Sequence, residues 1–267
     1  MPHIRLSSEA GIPARKKNNT LTSADLRLTI LLSVEKGEKM ITVNVLQRTF
    51  CIKVGNSIGT CFALDFEGRQ YLVTARHVVE TLTGEVQVSI LHKGWQLISA
   101  IVVGHGKDSV DISVLAPSVQ LARKDLLLSG SLDGITFGQD VYFLGFPYGL
   151  HSELGAINRD FPAPFVRKAI LSAILTGDNG ERIFLLDGYS NGGFSGGPVV
   201  FSKMGRPANE LTVAGVVSAH HVIQSPVLSS GKETSLQVKE NTGIVISYDI
   251  QHALNLIKTN PIGIPLK

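Results

Sequence analysis

Residues 191–200 read NGGFSGGPVV. Four glycines and a proline surround one serine, Ser195, and an apolar run follows it. Gly193 carries no Cβ, so its peptide can turn freely, and Gly196 and Gly197 let the chain leave sharply. Pro198 then opens an extended stretch, PVVF. Taken alone, the segment is equally a glycine-rich hairpin turn. Its meaning rests on what else the chain supplies.

Residues 193–197 fit the pattern G-x-S-x-G. In an α/β-hydrolase that pattern sits between a strand and a helix, and the acid and histidine follow the serine. Here a strand follows, so a lipase or esterase is disfavoured and the partners belong upstream. A serine hydroxyl needs a histidine base within hydrogen-bond reach. The imidazole needs a carboxylate to fix its tautomer. The developing oxyanion needs backbone N–H groups already aimed at it, each worth about 3–4 kcal/mol. YLVTARHVV places His77 just after an apolar strand, and DISVLAP places Asp111 at the head of another. Asp108, the rival acid in GKDSVDIS, reads as a turn residue because the apolar run begins after Asp111.

From Thr42 onward the chain is a succession of short strands and turns. QRTFCIKV, TCFALDF, QYLVTA, EVQVSIL, QLISAIVVG and DISVLAP form one series. QDVYFLGFP, VRKAILSAIL, RIFLLDG, GPVVFSK, LTVAGVVSA and TGIVISY form a second, and PSVQLARKDLLLSGSLDG reads as the crossover. Evenly spaced strands without intervening helices indicate sandwiches or barrels. One helix is marked near the end. Ser247 or Asp249 can cap it, Ile250, Ala253, Leu254 and Ile257 share one face, Lys258 lies in the last turn, and Pro261 stops it.

With TARHVV, DISVL and GGFSGGPVV in this order, residues 42–258 resemble the chymotrypsin-like (trypsin-fold) serine peptidases. Within them the chain is similar to the bacterial trypsin-like peptidase domain of the high-temperature-requirement (DegP-type) group. FGQDVYFLGFPYG and VRKAILSAI look like that group's middle strands, and LTVAGVVSA like its cleft strand. The resemblance implies an all-β fold of two six-stranded antiparallel Greek-key barrels with a C-terminal packing helix. Residues 41–130 form the first barrel, with His77 and Asp111, and residues 131–267 the second, with Ser195. It implies that His77 is the general base, that Asp111 orients it, and that Ser195 is the nucleophile. The N–H groups of Gly193 and Ser195 would form the oxyanion hole, and Ser218 would hydrogen-bond the acid. Tyr189, Asn191, Ser218, Ala219 and His220 are the candidates for the substrate side.

The implied activity is a serine endopeptidase acting on protein or peptide without cofactor or metal. The alternative is a catalytically latent peptide-binding or scaffold protein on the same fold. The chain departs from the family at Phe194, where animal digestive enzymes carry an acidic residue that pairs with a freed N-terminus. The paired cysteines of secreted members are absent, valine follows His77, and no PDZ-like domain is expected.

At 43% apolar and 18% charged residues the chain is globular. A net charge of +3 without a basic stripe argues against nucleic acid. No apolar run reaches the roughly 18 residues a membrane helix needs. Residues 1–40 form an extension in which Leu26, Leu28, Ile30 and Leu32 alternate as a strand would, while Ser23 can cap a helix instead. These residues contain no clean secretory signal, which favours a cytoplasmic location with export left open. Cys51 and Cys61 lack metal-ligand spacing and read as half-buried free thiols rather than a bridge.

Overall fold

Short runs of β-branched and aromatic residues between glycine turns close into two rings of antiparallel strands. The computed structural model describes residues 41–203, 205 and 210–267. The extension containing Ser23 and residues 26–32, and most of the KMGRP turn, lie outside the described residues.

The first ring comprises β1 (Thr49–Val54), β2 (Ser57–Phe66), β3 (Arg69–Thr74), β4 (Glu85–Leu91), β5 (Trp95–His105) and β6 (Ser113–Pro117). The second comprises β7 (Asp140–Gly145), β10 (Phe165–Thr176), β11 (Arg182–Asp187), β12 (Pro198–Ser202), β13 (Leu211–Ser229) and β14 (Lys232–Asp249). Between β7 and β10 lies a small ribbon of β8 (Ser152–Glu153) and β9 (Pro162–Ala163). In each ring the fourth strand pairs with the first, the first with the second and the second with the third, which is the Greek-key order. The fifth and sixth strands then close the circle, β6 onto β3 and β14 onto β11. Turn chemistry fixes the register: Glu67 and Gly68 both take positive φ, as a two-residue hairpin loop between Phe66 and Arg69 requires.

Each ring has its own apolar filling. Phe50, Ile52, Leu72, Val88 and Leu115 pack inside the first, and Phe143, Leu171, Phe184, Phe194 and Val199 inside the second. A third cluster joins them. Phe62, Leu64 and Val73 meet Leu144, Val200, Val213 and Val216, and the C-terminal helix covers the seam with Ile250, Ala253, Leu254 and Ile257. That helix (Gln251–Thr259) begins where Asp249 Oδ1 accepts the Gln251 N–H at 2.6 Å. Ile250 takes the N-cap position itself, so neither candidate is the cap: Ser247 is buried within β14, and Asp249 acts from one residue upstream of it. The tail then returns to the first ring as β15 (Ile264–Pro265), pairing with Gln70 and Arg69 of β3. Sequence order alone would have left these last residues with the second ring.

Both cysteines are fully buried rather than half-buried. Cys51 stands opposite Thr60 and Cys61 opposite Phe50. Their side chains therefore lie on opposite faces of the hairpin and cannot bridge. Burial pushes the Cys51 thiol up to about 12.

Arg48 anchors the crossover (residues 118–139) to β2. Its side chain is fully buried, pairs with Asp65 at 2.7 Å and donates to the carbonyls of Arg123 and Leu126. Removing one member of such a pair strands the other charge. Arg48→Met should cost about 3–5 kcal/mol in urea denaturation, and the double variant Arg48→Met, Asp65→Leu distinctly less.

Candidate active site

His77, Asp111 and Ser195, the residues expected to serve as base, acid and nucleophile, come from three loops, each held by backbone constraints. His77 lies on a one-turn helix (Arg76–Val79) directly after β3. Val78 and Val79 bury beneath it and fix its pitch. A Cβ at Gly59 would meet Val78 Cγ2 at 2.8 Å, so glycine there is what admits that packing. The acid loop closes on itself through Gly106 N–H to Ile112 O (2.7 Å) and Val110 N–H to Lys107 O (2.9 Å). Arg76 Nη1 donates to Gly106 O at 2.8 Å and ties the loop to the helix of His77. Ser109 Oγ donates to the carboxylate of Glu181 from the second ring. Asp108 takes φ +51 in the turn, and Asp111 is the acid that faces His77.

Asp111 is grasped on both oxygens. Oδ1 accepts the backbone N–H of His77 at 2.9 Å, while Oδ2 accepts from His77 Nδ1 at 2.7 Å and from Ser218 Oγ at 2.6 Å. Burial alone would push the Asp111 carboxyl up. The hydrogen bonds from His77 and Ser218 outweigh it and hold the group below the ordinary carboxylate range. His77 in turn is raised above its ordinary 6.5 by the hydrogen bond to Asp111, against the opposing effect of burial.

The nucleophile loop is pinned by the first ring. Thr60 N–H donates to Ser195 O at 2.8 Å, and Thr60 Oγ1 donates to Gly193 O at 2.7 Å. Thr60 Oγ1 also accepts the Phe146 N–H at 3.2 Å, and Thr74 Oγ1 holds Thr60 O at 2.7 Å. The backbones approach so closely that a Cβ at Gly196 would lie 2.0 Å from Thr60 O, and one at Gly193 2.2 Å from Phe146 O. Gly193 and Gly196 also sit at φ +103 and +86, which only glycine adopts readily.

Carbonyl placement decides where the N–H groups point. Gly192 O accepts from Tyr148 N–H at 2.8 Å, and Phe194 O from Gly197 N–H at 2.8 Å. In a trans peptide the N–H points opposite to the carbonyl. The N–H groups of Gly193 and Ser195 are thus turned away from those partners, and neither finds an acceptor among the described residues. Beneath them Phe194 is fully buried, packed edge-on against Phe143 at 5.0 Å, with the Arg167 guanidinium 5.9 Å from its ring. An aromatic plug holds the loop where digestive enzymes use an ion pair.

One cleft of about 290 Å³ is lined by His77, Ser190, Asn191, Gly192, Ser195, Ser218, Ala219 and His220. Within it Ser195 Oγ donates to Ser218 O at 3.1 Å. Of the residues read from sequence, His77, Asp111, Ser195 and Ser218 come together, and Asn191, Ala219 and His220 join the lining. Tyr189 is half exposed and is not among the lining residues; its neighbour Ser190 takes that place. Thr60 and Ser190 carry no sequence signal, because one reads as a strand residue and the other as loop filler. Among the described residues no group of three His, Cys, Asp or Glu stands close enough to hold a metal.

The family model described as the trypsin-like peptidase domain matches residues 59–207. Among solved structures, the HtrA-type protease AlgW with a tripeptide is 22% identical, TM-score 0.53, over 81% of this chain and 60% of that one. The inactive form of the M. tuberculosis H37Rv protease Rv3671c is 16% identical, TM-score 0.53, over 85% and 92%. The serine endoprotease from Yersinia pestis is 17% identical, TM-score 0.52, over 83% and 67%. At these identities the likeness establishes the fold. No curated protein sequence matches the chain significantly.

Linkage fixes the pH signature of the pair. The raised His77 adds stability below its unfolded value, lost as pH rises through the folded one. The lowered Asp111 adds stability above its unfolded value, lost as pH falls through the folded one. The stability difference between wild type and Asp111→Asn should therefore be larger at about pH 5.5 than at about pH 8.5 in urea melts. By NMR the His77 ring should titrate above 6.5 in the wild type and fall in Asp111→Asn, where burial remains and the carboxylate is gone.

Proposed function

The chain belongs to the trypsin-like peptidase family, and from that premise we propose that it is a serine endopeptidase working through an acyl-enzyme on Ser195. The observation that carries this reading is the Asp111–His77 pair facing the cleft that holds Ser195, beside two N–H groups without acceptors among the described residues. No separate cofactor is needed for that chemistry.

The steps follow from the groups present. A substrate strand enters the cleft, and the N–H of its residue before the scissile bond takes Ser218 O. That displaces the Ser195 hydroxyl from its present acceptor and turns it toward His77 Nε2. Oγ attacks the carbonyl carbon as His77 accepts the hydroxyl proton, and the Gly193 and Ser195 N–H groups receive the oxyanion. The C–N bond then breaks and His77 returns the proton to the leaving amine. Water, activated by the same imidazole, frees the acid product. Asp111 keeps its charge throughout and stabilises the imidazolium.

Latency is the competing account, since Ser195 Oγ rests on Ser218 O rather than on the imidazole. Turnover separates the two. Wild-type protein should hydrolyse reduced casein, with kcat/KM falling as pH drops through the raised His77 value. Ser195→Ala and His77→Ala should each lose roughly 10⁴- to 10⁶-fold in kcat. Folded wild-type protein that leaves casein intact would establish latency.

Thr60 is a positioning residue on this reading. Thr60→Val keeps the shape and the backbone N–H but removes the hydroxyl that holds Gly193 O. It should lower kcat by about tenfold with KM little changed, the worth of one well-placed hydrogen bond. Steady-state kinetics on one peptide, normalised to the concentration of active sites, would show an unchanged kcat per site if Thr60 merely supported folding.

A further inference from the structure

The cleft strand does not stop at the cleft. β13 pairs with β12 only from Leu211 to Val216, and Val217 N–H still reaches Gly197 O. Beyond Val217 the edge that β12 occupied is unpaired among the described residues as far as Ser229, while the opposite edge pairs with β14, with register shifts at Ser218, His221 and Val227. β14 likewise pairs with β11 only from Ile244 to Tyr248. A two-stranded ribbon thus projects from the second ring, rooted in the residues that line the site.

Its composition is unusual for a solvated ribbon. Val222 faces Asn241, Ile223 faces Glu240, Gln224 faces Lys239 and Ser225 faces Val238. Directly opposed residues share a face, so Ile223 and Val238 lie on one side. Both are about half exposed, and Val227 and Leu236, next in the alternation, are exposed too. An isolated ribbon of this kind is marginal in water, and an open edge beside an apolar face invites a further strand. Lys232, Glu233, Lys239 and Glu240 balance in charge, so the surface selects no charged partner.

We propose that the free edge of β13 beyond the cleft, from Val222 to Ser225, prolongs the antiparallel strand that a peptide substrate forms at the site and binds its fifth to eighth residues before the scissile bond. The inference rests on the endopeptidase reading above. Three observations choose this occupant. The edge is continuous with Ser218, whose carbonyl sits at the nucleophile. The lower-numbered side is already filled by β12, so a chain held at Ser195 can run only outward along the ribbon. Pro226, which lacks an N–H, ends the usable edge and sets a length. One substrate residue opposite each of Ser218 to Ser225 makes a strand of about eight residues, with backbone bonds giving affinity and alternate side chains giving choice. The sixth and eighth residues before the cut would lie beside Ile223 and Val238 and should be aliphatic.

The test uses the full chain and fluorogenic peptides that share their last four residues before the cut. One set is extended to eight with valine at the sixth and eighth positions, the other with glycine and serine. The valine extension should raise kcat/KM roughly tenfold over the tetrapeptide, the sum of a few cross-strand contacts, and the glycine–serine extension should not. N-methylation of the backbone at the fifth and seventh positions, compared with the fourth and sixth, should remove the gain in one pattern only. The double variant Ile223→Asp, Val238→Asp should lose the gain and keep the tetrapeptide rate, which also reports that it is folded. Equal rates on all lengths, in an enzyme that turns over the tetrapeptide, would overturn the proposal alone. A folded protein that cleaves none of the peptides defeats the endopeptidase reading and this inference with it. A double variant with altered molecular mass and intact length dependence would assign the ribbon to a second copy of the chain and overturn the proposal.

Discussion

Thr60 belongs to the first ring, and its N–H and hydroxyl hold the carbonyls of Ser195 and Gly193, which belong to the second. Everything proposed for the site depends on that crossing. A nucleophile loop held only by its own ring would be free to rotate its peptides, and an N–H turned away from the cleft is useless for charge stabilisation. One close approach makes the crossing possible and requires a missing side chain, Gly196 against Thr60 O, while Gly193 against Phe146 O and Gly197 against Leu144 O seat the same loop on its own ring. The glycines of NGGFSGGPVV therefore serve packing against both rings as much as local turning.

The same principle accounts for Phe194. On the proposed mechanism the residue before Ser195 must be fixed, because the peptide that follows it supplies one of the two N–H groups. A buried ion pair fixes it in one way; a ring wedged against Phe143 under the Arg167 guanidinium fixes it in another. The second needs no liberated terminus. Loop geometry is then set by folding of the second ring together with the bonds from Thr60, since Phe194 is part of that ring's apolar filling.

Much of this was legible in the sequence. Glu85–Leu91 is bounded by turn formers and alternates, so its limits as a strand were plain. The apolar face of the last helix followed from spacing, and His77, Asp111 and Ser195 declared themselves by residue type and setting. What was hidden obeys a different logic. Thr60 acts through bonds to backbone atoms 133 and 135 positions away, which no local pattern encodes. The outer halves of β13 and β14 bury neither face, so the in–out alternation that marks a strand is absent, and Pro226 and Gly231 read as breaks. Tyr189 was one residue out of phase, since nothing in YSNGG shows which side chain turns inward.

The central claim is that an imidazole from one ring activates an alcohol from the other. A fluorophosphonate probe reacts only with a serine so activated, and peptide mapping by mass spectrometry shows where it lands. At mildly alkaline pH the folded protein should take up one adduct per chain, on Ser195. Folded protein that takes up no probe, or carries it on another residue, would contradict the account.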